Sequence, residues 1–452
     1  MKVLNLEWSS FPSRDREAAT LVCNYLRYIG VEVVEGCIYN SMNLISKVKP
    51  NAIFMTNIIG SDINFQVAKY IKSLNIPLYT SHAEGDFSLK NIKQFVWGHN
   101  LYKEILENKI FFWSERNAYL ACSNYDELNN ISFISGSIGH DRFIIDKELN
   151  INKCSKLKSF VSISVTCWDF SFVEKSHPYH NQFSKKTIEF FKIQRKLFDE
   201  YLYEIVRDDK EVIFIIKPHP SAANDLLNAG IVKTSSLPNV KVATQETSIL
   251  NLLQETDLNI SYSSNTSLEA WLLSKPTCTL NPITSDWPED MDQTPFNLGQ
   301  NNFNELESFK EFIQNFVKNQ KVKLSNEMIL NRKKLIKNII GFEDGLNHVR
   351  IGNQIKLDLE NNKNLKSNYF KWNFRLMKLS FIWIFRGLLK FIEKYSYTIR
   401  LMNEWNNEEL KFYIQKTFKT QIIFYEEKNL SDVFPIKYNF NNTKKHTSVI
   451  EF

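Results

Sequence analysis

Four short stretches of this chain hold residue types that could do chemistry. Lys217-Pro218-His219-Pro220 closes a run of β-formers, Val212–Ile216. Prolines on either side of His219 keep the backbone extended where the strand stops. An imidazole there can donate to a phosphate oxygen, and Lys217 adds a full positive charge nearby. The competing reading is a proline-rich turn with an incidental histidine. The second stretch is Ser261-Tyr-Ser-Ser-Asn-Thr-Ser-Leu-Glu-Ala270, a strand running into hydroxyls and an amide and then into a helix. Free N–H groups and the positive end of a helix attract anions. Ser263, Ser264, Asn265, Thr266 and Ser267 could add side-chain donors, Glu269 would meet a ribose or serve the fold, and plain N-capping is the alternative. Together the two stretches predict a nucleotide phosphate site.

The third stretch is Thr80-Ser-His-Ala-Glu-Gly-Asp-Phe87. Glu84 is expected at a strand's C-terminal tip, where a carboxylate can act as general acid or base, and Gly85 is expected to permit an unusual backbone turn. His82 and Asp86 lie beside it, and a solvated acidic turn is the alternative. The fourth is Cys167-Trp168-Asp169-Phe170, in which Asp169 is either a second carboxylate, a nucleophile in a double displacement, or a turn or capping aspartate. His177 and His180 flank Pro178 in a polar loop and do not make a metal site. Gly136-Ser-Ile-Gly139, before His140-Asp141-Arg142, lacks a dinucleotide-binding spacing and reads as a loop.

The elements that must position these residues alternate. Val3–Leu6, Val31–Val34, Ala52–Met55 and Leu78–Thr80 read as strands. Glu17–Tyr28, Ile63–Leu74 and Asn91–Leu106 read as helices, with a late strand at Ile131–Ile134. The polar stretch 147–158 reads as a linker. The rhythm restarts with strands at Phe160–Val165, Val212–Ile216, Val240–Ala243, Leu258–Tyr262 and Thr277–Leu280. Helices are expected at Lys185–Val206, Ser248–Leu253 and Thr266–Leu273. Alternating strands and helices predict parallel sheets covered by helices. The expected architecture is α/β, with two Rossmann-like domains facing a cleft, 1–150 and 158–325, and a helical C-terminal extension, 326–452. In open α/β sheets ligands bind at the C-terminal strand edge.

Bulk properties narrow the function. The 452 residues are 43% hydrophobic and 23% charged, with 34 Phe, which is ample for large cores. A formal charge of +6 is mild for this length and argues against nucleic acid as a partner. Six scattered cysteines with no CxxC pair predict neither a disulfide framework nor a zinc site, and a reducing cytoplasm is the expected home. Glu7 interrupts the apolar start, so no signal peptide is expected. No apolar run approaches the roughly 18–20 residues that span a bilayer.

After about residue 303 the pattern is helical, with one further strand expected at Gln421–Tyr425. Asn368–Arg400 carries Lys371, Arg375, Lys378, Arg386, Lys390, Lys394 and Arg400 against a single acid, Glu393, among many aromatic residues. Lys371, Arg375, Lys378 and Arg386 share one helical side. Such a helix suits anionic lipid, and a domain-closing helix is the other reading.

The order of Glu84-Gly85, Lys217–Pro220 and the Ser-Ser-x-x-Ser-Leu-Glu helix start at Ser263–Glu269 resembles GT-B glycosyltransferases of bacterial surface polysaccharide assembly. Capsule Kdo transferases and bacterial sialyl- and polysialyltransferases are the nearest group. Ser13-Arg-Asp-Arg-Glu17 and Gly30–Val34 are similar to their N-terminal domains, and the resemblance covers roughly residues 1–300. It implies a CMP-linked ulosonic acid donor with no metal or further cofactor. It also implies an acid/base role for Glu84 and phosphate contacts from His219, Ser263, Ser264 and Ser267. A glycan or glycolipid acceptor follows from the same likeness, and the basic helix would then keep the enzyme at the inner face of the cytoplasmic membrane. Ala83 departs from the sialyltransferase pattern, which has two acids before the glycine. Glycerol-phosphate transferases of teichoic acid assembly share the His-Pro corner and serine-rich loop. CDP-glycerol or CDP-ribitol phosphotransfer therefore stands as the alternative, with a non-catalytic glycan-assembly scaffold behind it.

Overall fold

A computed structural model describes residues 1–7, 14–82, 84–86, 88–98, 100–149, 160–177, 180–219, 222, 225–244, 247–262, 264–289, 291, 293–361, 367–369, 371–389, 391–392, 399, 402–403, 405, 408–426 and 428–438. The chain forms two compact units. The first joins Met1–Ile145 to Lys337–Glu451, and the second is Asp146–Ile336. The residues expected as a separate C-terminal extension are thus divided, and most of them belong with the N-terminal ones.

The first unit begins with strands β1 (Lys2–Glu7), β2 (Glu32–Cys37), β3 (Ala52–Met55), β4 (Leu78–Ser81), β5 (Lys109–Phe112) and β6 (Ser132–Ile134). Helices α1 (Arg14–Tyr28), α2 (Ser41–Val48), α3 (Asp62–Ser73), α4 (Ile92–Trp97), α5 (Glu115–Asn124) and α6 (Ile138–Leu149) lie between and after them. Every residue of β3 and β4 is buried, as expected for parallel strands covered on both faces. α1 buries Ala18, Leu21, Val22, Tyr25 and Leu26, and Gly30 turns the chain out of it at φ +83°. Ser61 and Ser114 cap α3 and α5 by accepting the N–H of Asn64 and Asn117.

The second unit holds β7 (Ser162–Thr166), β8 (Ile213–Lys217), β9 (Val240–Val242), β10 (Leu258–Ser261), β11 (Thr277–Leu280) and β12 (Asn301–Phe303). Its helices are α7 (Lys185–Asp208), α8 (Ile249–Glu255), α9 (Thr266–Leu272) and α10 (Leu306–Asn319), with α11 (Asn326–Ile339) leading back to the first unit. The sheet is wholly parallel in the order β12-β11-β10-β7-β8-β9. This is the doubly wound arrangement in which strand order reverses between β7 and β10.

The remaining chain adds α12 (Asn347–Asn361), α13 (Phe374–Leu389), α14 (Glu408–Tyr425) and β13 (Ile436–Lys437) to the first unit. β13 pairs antiparallel with β6, completing the order β13-β6-β5-β4-β3-β1-β2. A buried polar chain ties these helices down. Asp141 of α6 accepts the backbone N–H of His348 at 2.8 Å and meets its Nδ1 at 2.7 Å; Nε2 meets Tyr425 Oη at 2.6 Å. Gln421 donates to that same hydroxyl at 2.8 Å, and Tyr25 of α1 donates to Asn353 at 2.6 Å. Asp358 of α12 also receives Lys109 at 2.9 Å and the Tyr79 hydroxyl at 3.0 Å.

Several expectations change. Gln421–Tyr425 ends helix α14, because a short apolar run does not distinguish strand from buried helix. The helix expected over Asn91–Leu106 stops at Trp97, where Gly98 takes φ +69°. β5, α2 and α5 went unforeseen. Residues 147–149 belong to α6, which starts at Ile138 inside the presumed loop, and the rest of the expected linker lies outside the described residues.

Candidate functional site

In the second unit, β8, β7 and β10 run side by side with Lys217, Thr166 and Ser261 in register at their C-terminal ends. The loops bearing the sequence candidates therefore leave one sheet edge together. Backbone bonds keep them adjacent: Cys167 donates to the Lys217 carbonyl at 3.2 Å and Tyr262 to that of Thr166 at 3.3 Å. Trp168 fixes the loop after β7, its ring 4.9 Å from Phe191 and 5.8 Å from Tyr262.

His219 is brought to Asp169, with Nδ1 4.0 Å from Oδ2. The histidine side chain is 48% exposed and the aspartate 20%, so the ring is open to a ligand. Ala222 donates to the His219 carbonyl at 2.9 Å. The other Asp169 oxygen accepts the Ser171 N–H at 2.8 Å. Asp169 is thus both a turn residue and the neighbour of the imidazole. Lys217 donates to the Thr244 carbonyl at 3.4 Å. Partial burial lowers its pKa, while the negative charge of Glu269 acts the other way. Glu269 sits in α9, almost wholly buried.

The serine-rich loop divides. Ser267 is fully buried, its hydroxyl 2.9 Å from Ser261 Oγ and accepting from Gln300 at 3.1 Å. Gln300 also reaches Thr279. That hydroxyl is committed to the protein interior, which corrects its expected role as a phosphate donor. Ser264 accepts the Thr266 N–H at 3.2 Å and meets the Thr266 hydroxyl at 2.9 Å, which makes it a turn-forming residue at the start of α9. Asn265 occupies the N-cap position without a side-chain capping bond. Ser263 lies outside the described residues.

Glu84 belongs to the first unit, where it lines a cavity of about 160 Å³ past the ends of β3 and β4. Asn57, Thr80, Ser81, His82, Gln94 and Glu107 also line it with polar groups. A cavity of that size takes a single small ring. His82 packs on Phe112 with ring centroids 4.6 Å apart, and burial pushes its pKa down to about 4, so the imidazole is neutral at pH 7. Burial raises the pKa of Glu107. Glu107 escaped the sequence reading because β5, which follows it, did too. Gly85 does not adopt a positive φ. It is needed for close approach: a Cβ there would strike the Trp113 ring and come within 2.9 Å of the Ile339 carbonyl oxygen. Trp113 also donates to the His82 carbonyl at 2.7 Å, so the Glu84 loop is held from both sides.

Arg16 and Glu17, in the motif near the N-terminus, are spent on ion pairs with Glu35 and Arg142. Among the described residues no group of three or more His, Cys, Asp or Glu side chains gathers as a metal would need. Among the same residues no helix is long and apolar enough to cross a membrane.

The chain matches no known family profile and no curated protein. Solved structures do resemble it. A UDP-N-acetylglucosamine 2-epimerase from Neisseria meningitidis, bound to UDP-GlcNAc, aligns at TM-score 0.50 and 13% identity, covering 80% of this chain and 100% of that one. A Listeria monocytogenes protein assigned as a UDP-N-acetylglucosamine 2-epimerase aligns at TM-score 0.50 and 12% identity, covering 82% and 99%. At such identity the likeness concerns the fold, which is of the GT-B type: two α/β units with parallel sheets, here with extra C-terminal helices.

Proposed function

We propose that this chain is a GT-B glycosyltransferase that moves a sugar from a nucleotide donor to a glycan hydroxyl. One observation carries the reading: His219, open to solvent and 4.0 Å from Asp169, stands at the sheet edge beside the β7–β10 strand-order reversal. Ligands of doubly wound sheets bind at such a reversal. As the sugar–phosphate bond breaks, its electron pair stays on the phosphate oxygen. His219 donates to that oxygen and Lys217 adds positive charge, stabilising the leaving group. Asp169 lies beside the imidazole and orients it. With one oxygen engaged by Ser171, it serves as a positioning residue, and direct attack by the acceptor with inversion is the simpler course. Glu84 accepts the acceptor's proton.

The motif resemblance refines the donor to a CMP-linked ulosonic acid of the Kdo or sialic type. The UDP-GlcNAc-bound epimerase of like fold supports a nucleotide sugar in general and does not favour cytidine. A melting-temperature screen with CMP, CDP, UDP and GDP, followed by turnover of the matching donors, tests the reading. CMP is expected to raise the melting temperature of the wild type and not of His219→Ala. Glu84→Gln is expected to keep the shift and lose on the order of 10²–10⁴ in turnover. A response to UDP alone removes the cytidine refinement, and UDP-GlcNAc converted without acceptor reassigns the chain to epimerisation. Turnover of CDP-glycerol or CDP-ribitol selects phosphotransfer. No shift with any nucleotide overturns the enzyme and leaves the scaffold.

A further inference from the structure

α13 is fastened to the first unit by one side only. Leu376 is buried in a core cluster with Leu4, Ile38 and Ile45, and Ile382 packs with Ile399 and Met402. The opposite arc is apolar and open. Phe374 is 83% exposed, Phe381 54%, Ile384 61% and Leu388 73%, and Phe385 adjoins them at a kink in the helix. At 100° per residue these five span about a quarter to a third of the circumference. The helix cannot roll this arc inward without pulling Leu376 and Ile382 out of their clusters.

Charge identifies what covers the arc. Seven Lys or Arg and no Asp or Glu fall between residues 361 and 392. Arg375 pairs with Asp62, Lys371 reaches the Ser73 carbonyl, and Arg386 donates to Asn403 and to the Trp383 carbonyl. These contacts hold Arg375, Lys371 and Arg386 beside the apolar arc, and Lys378 is exposed on the same helix. A second copy of the chain meeting this face about a two-fold axis would set like charges against like. A bilayer surface carrying anionic lipid complements both features, since it takes apolar side chains at the acyl boundary and cations at the headgroups.

We propose that α13 is a membrane-docking helix, lying in the plane of an anionic bilayer with Phe374, Phe381, Ile384 and Leu388 inserted. The inference does not depend on the reaction the protein performs. It is tested by flotation of the full chain with vesicles of phosphatidylcholine alone, or of phosphatidylcholine mixed with phosphatidylglycerol. The chain is expected to rise with the mixed vesicles and to bind phosphatidylcholine at least about tenfold more weakly. Replacing Phe381, Ile384 and Leu388 together by Ser is expected to cut partitioning by tenfold or more, since each inserted side chain contributes over a kilocalorie-scale transfer term. Lys378→Glu is expected to cut it on the order of tenfold, on the mixed vesicles only. Because all four side chains face outward, thermal unfolding monitored by circular dichroism should match the wild type. Failure of the wild type to float, or equal flotation of the triple variant, overturns the proposal. A solution dimer that the triple variant converts to monomer would do so too, since it makes a second copy the occupant.

Discussion

Glu7 closes β1 with a carboxyl that water does not reach. Thr56 donates to it twice, from its N–H at 3.0 Å and its hydroxyl at 2.6 Å, and Asn5 once at 3.0 Å. Burial outweighs these bonds and raises the pKa from 4.5 to about 7. The folded protein therefore keeps a proton that the unfolded chain releases in that interval. The stability this gives is complete below the unfolded pKa and is lost as pH rises through about 7. Between about pH 5 and about pH 8 the wild type should lose about 3 kcal/mol relative to Glu7→Gln. Urea unfolding of both proteins at the two pH values measures the difference; parallel behaviour would show that Glu7 titrates normally. A second residue-scale expectation concerns Asp169. If it orients His219, Asp169→Asn should weaken nucleotide binding about tenfold and shift the pH profile of binding, whereas loss of a turn alone would lower stability and leave that profile in place.

At the scale of elements, the loop after β4 owes its shape to Gly85, wedged between Trp113 and Ile339. Gly85→Ala should cost about 1–3 kcal/mol through overpacking, read as a lower melting temperature, and should reduce turnover by displacing Glu84 without weakening nucleotide binding. The main strands were legible because a parallel strand covered on both faces must be an unbroken apolar run, as Ala52–Met55 is. β5 was not, since Lys109-Ile-Phe-Phe follows a stretch whose apolar spacing also suits a helix. The His219 corner was legible because two prolines punctuate a strand end. The fate of Ser267 was not, because a serine at a helix start reads alike whether it faces a ligand or a buried amide. Its partner Gln300 lies 33 residues further on, and nothing local announces it.

At the scale of the molecule, the first unit is assembled from two distant stretches, joined by the Asp141–His348–Tyr425 chain and by the β6–β13 pairing. Tyr425→Phe leaves the buried His348 Nε2 without its partner and should destabilise the first unit by about 1–3 kcal/mol. Calorimetry should show this in one transition, with that of Asp146–Ile336 unmoved. Ending the chain at Ile336 should abolish the first transition altogether, since α1 would lose both α12 and α14 as neighbours.

That interleaving sets an order of events on the ribosome. Residues 146–336 have all their own partners as soon as they emerge. The earlier residues do not: β6 stays an uncovered sheet edge until β13, about three hundred residues later, and α1 keeps a bare apolar side until α12 and α14 have been made. A nascent chain paused before α12 would therefore pair a finished second unit with an adhesive, half-built first one, and it is at that stage that a chaperone would be needed most.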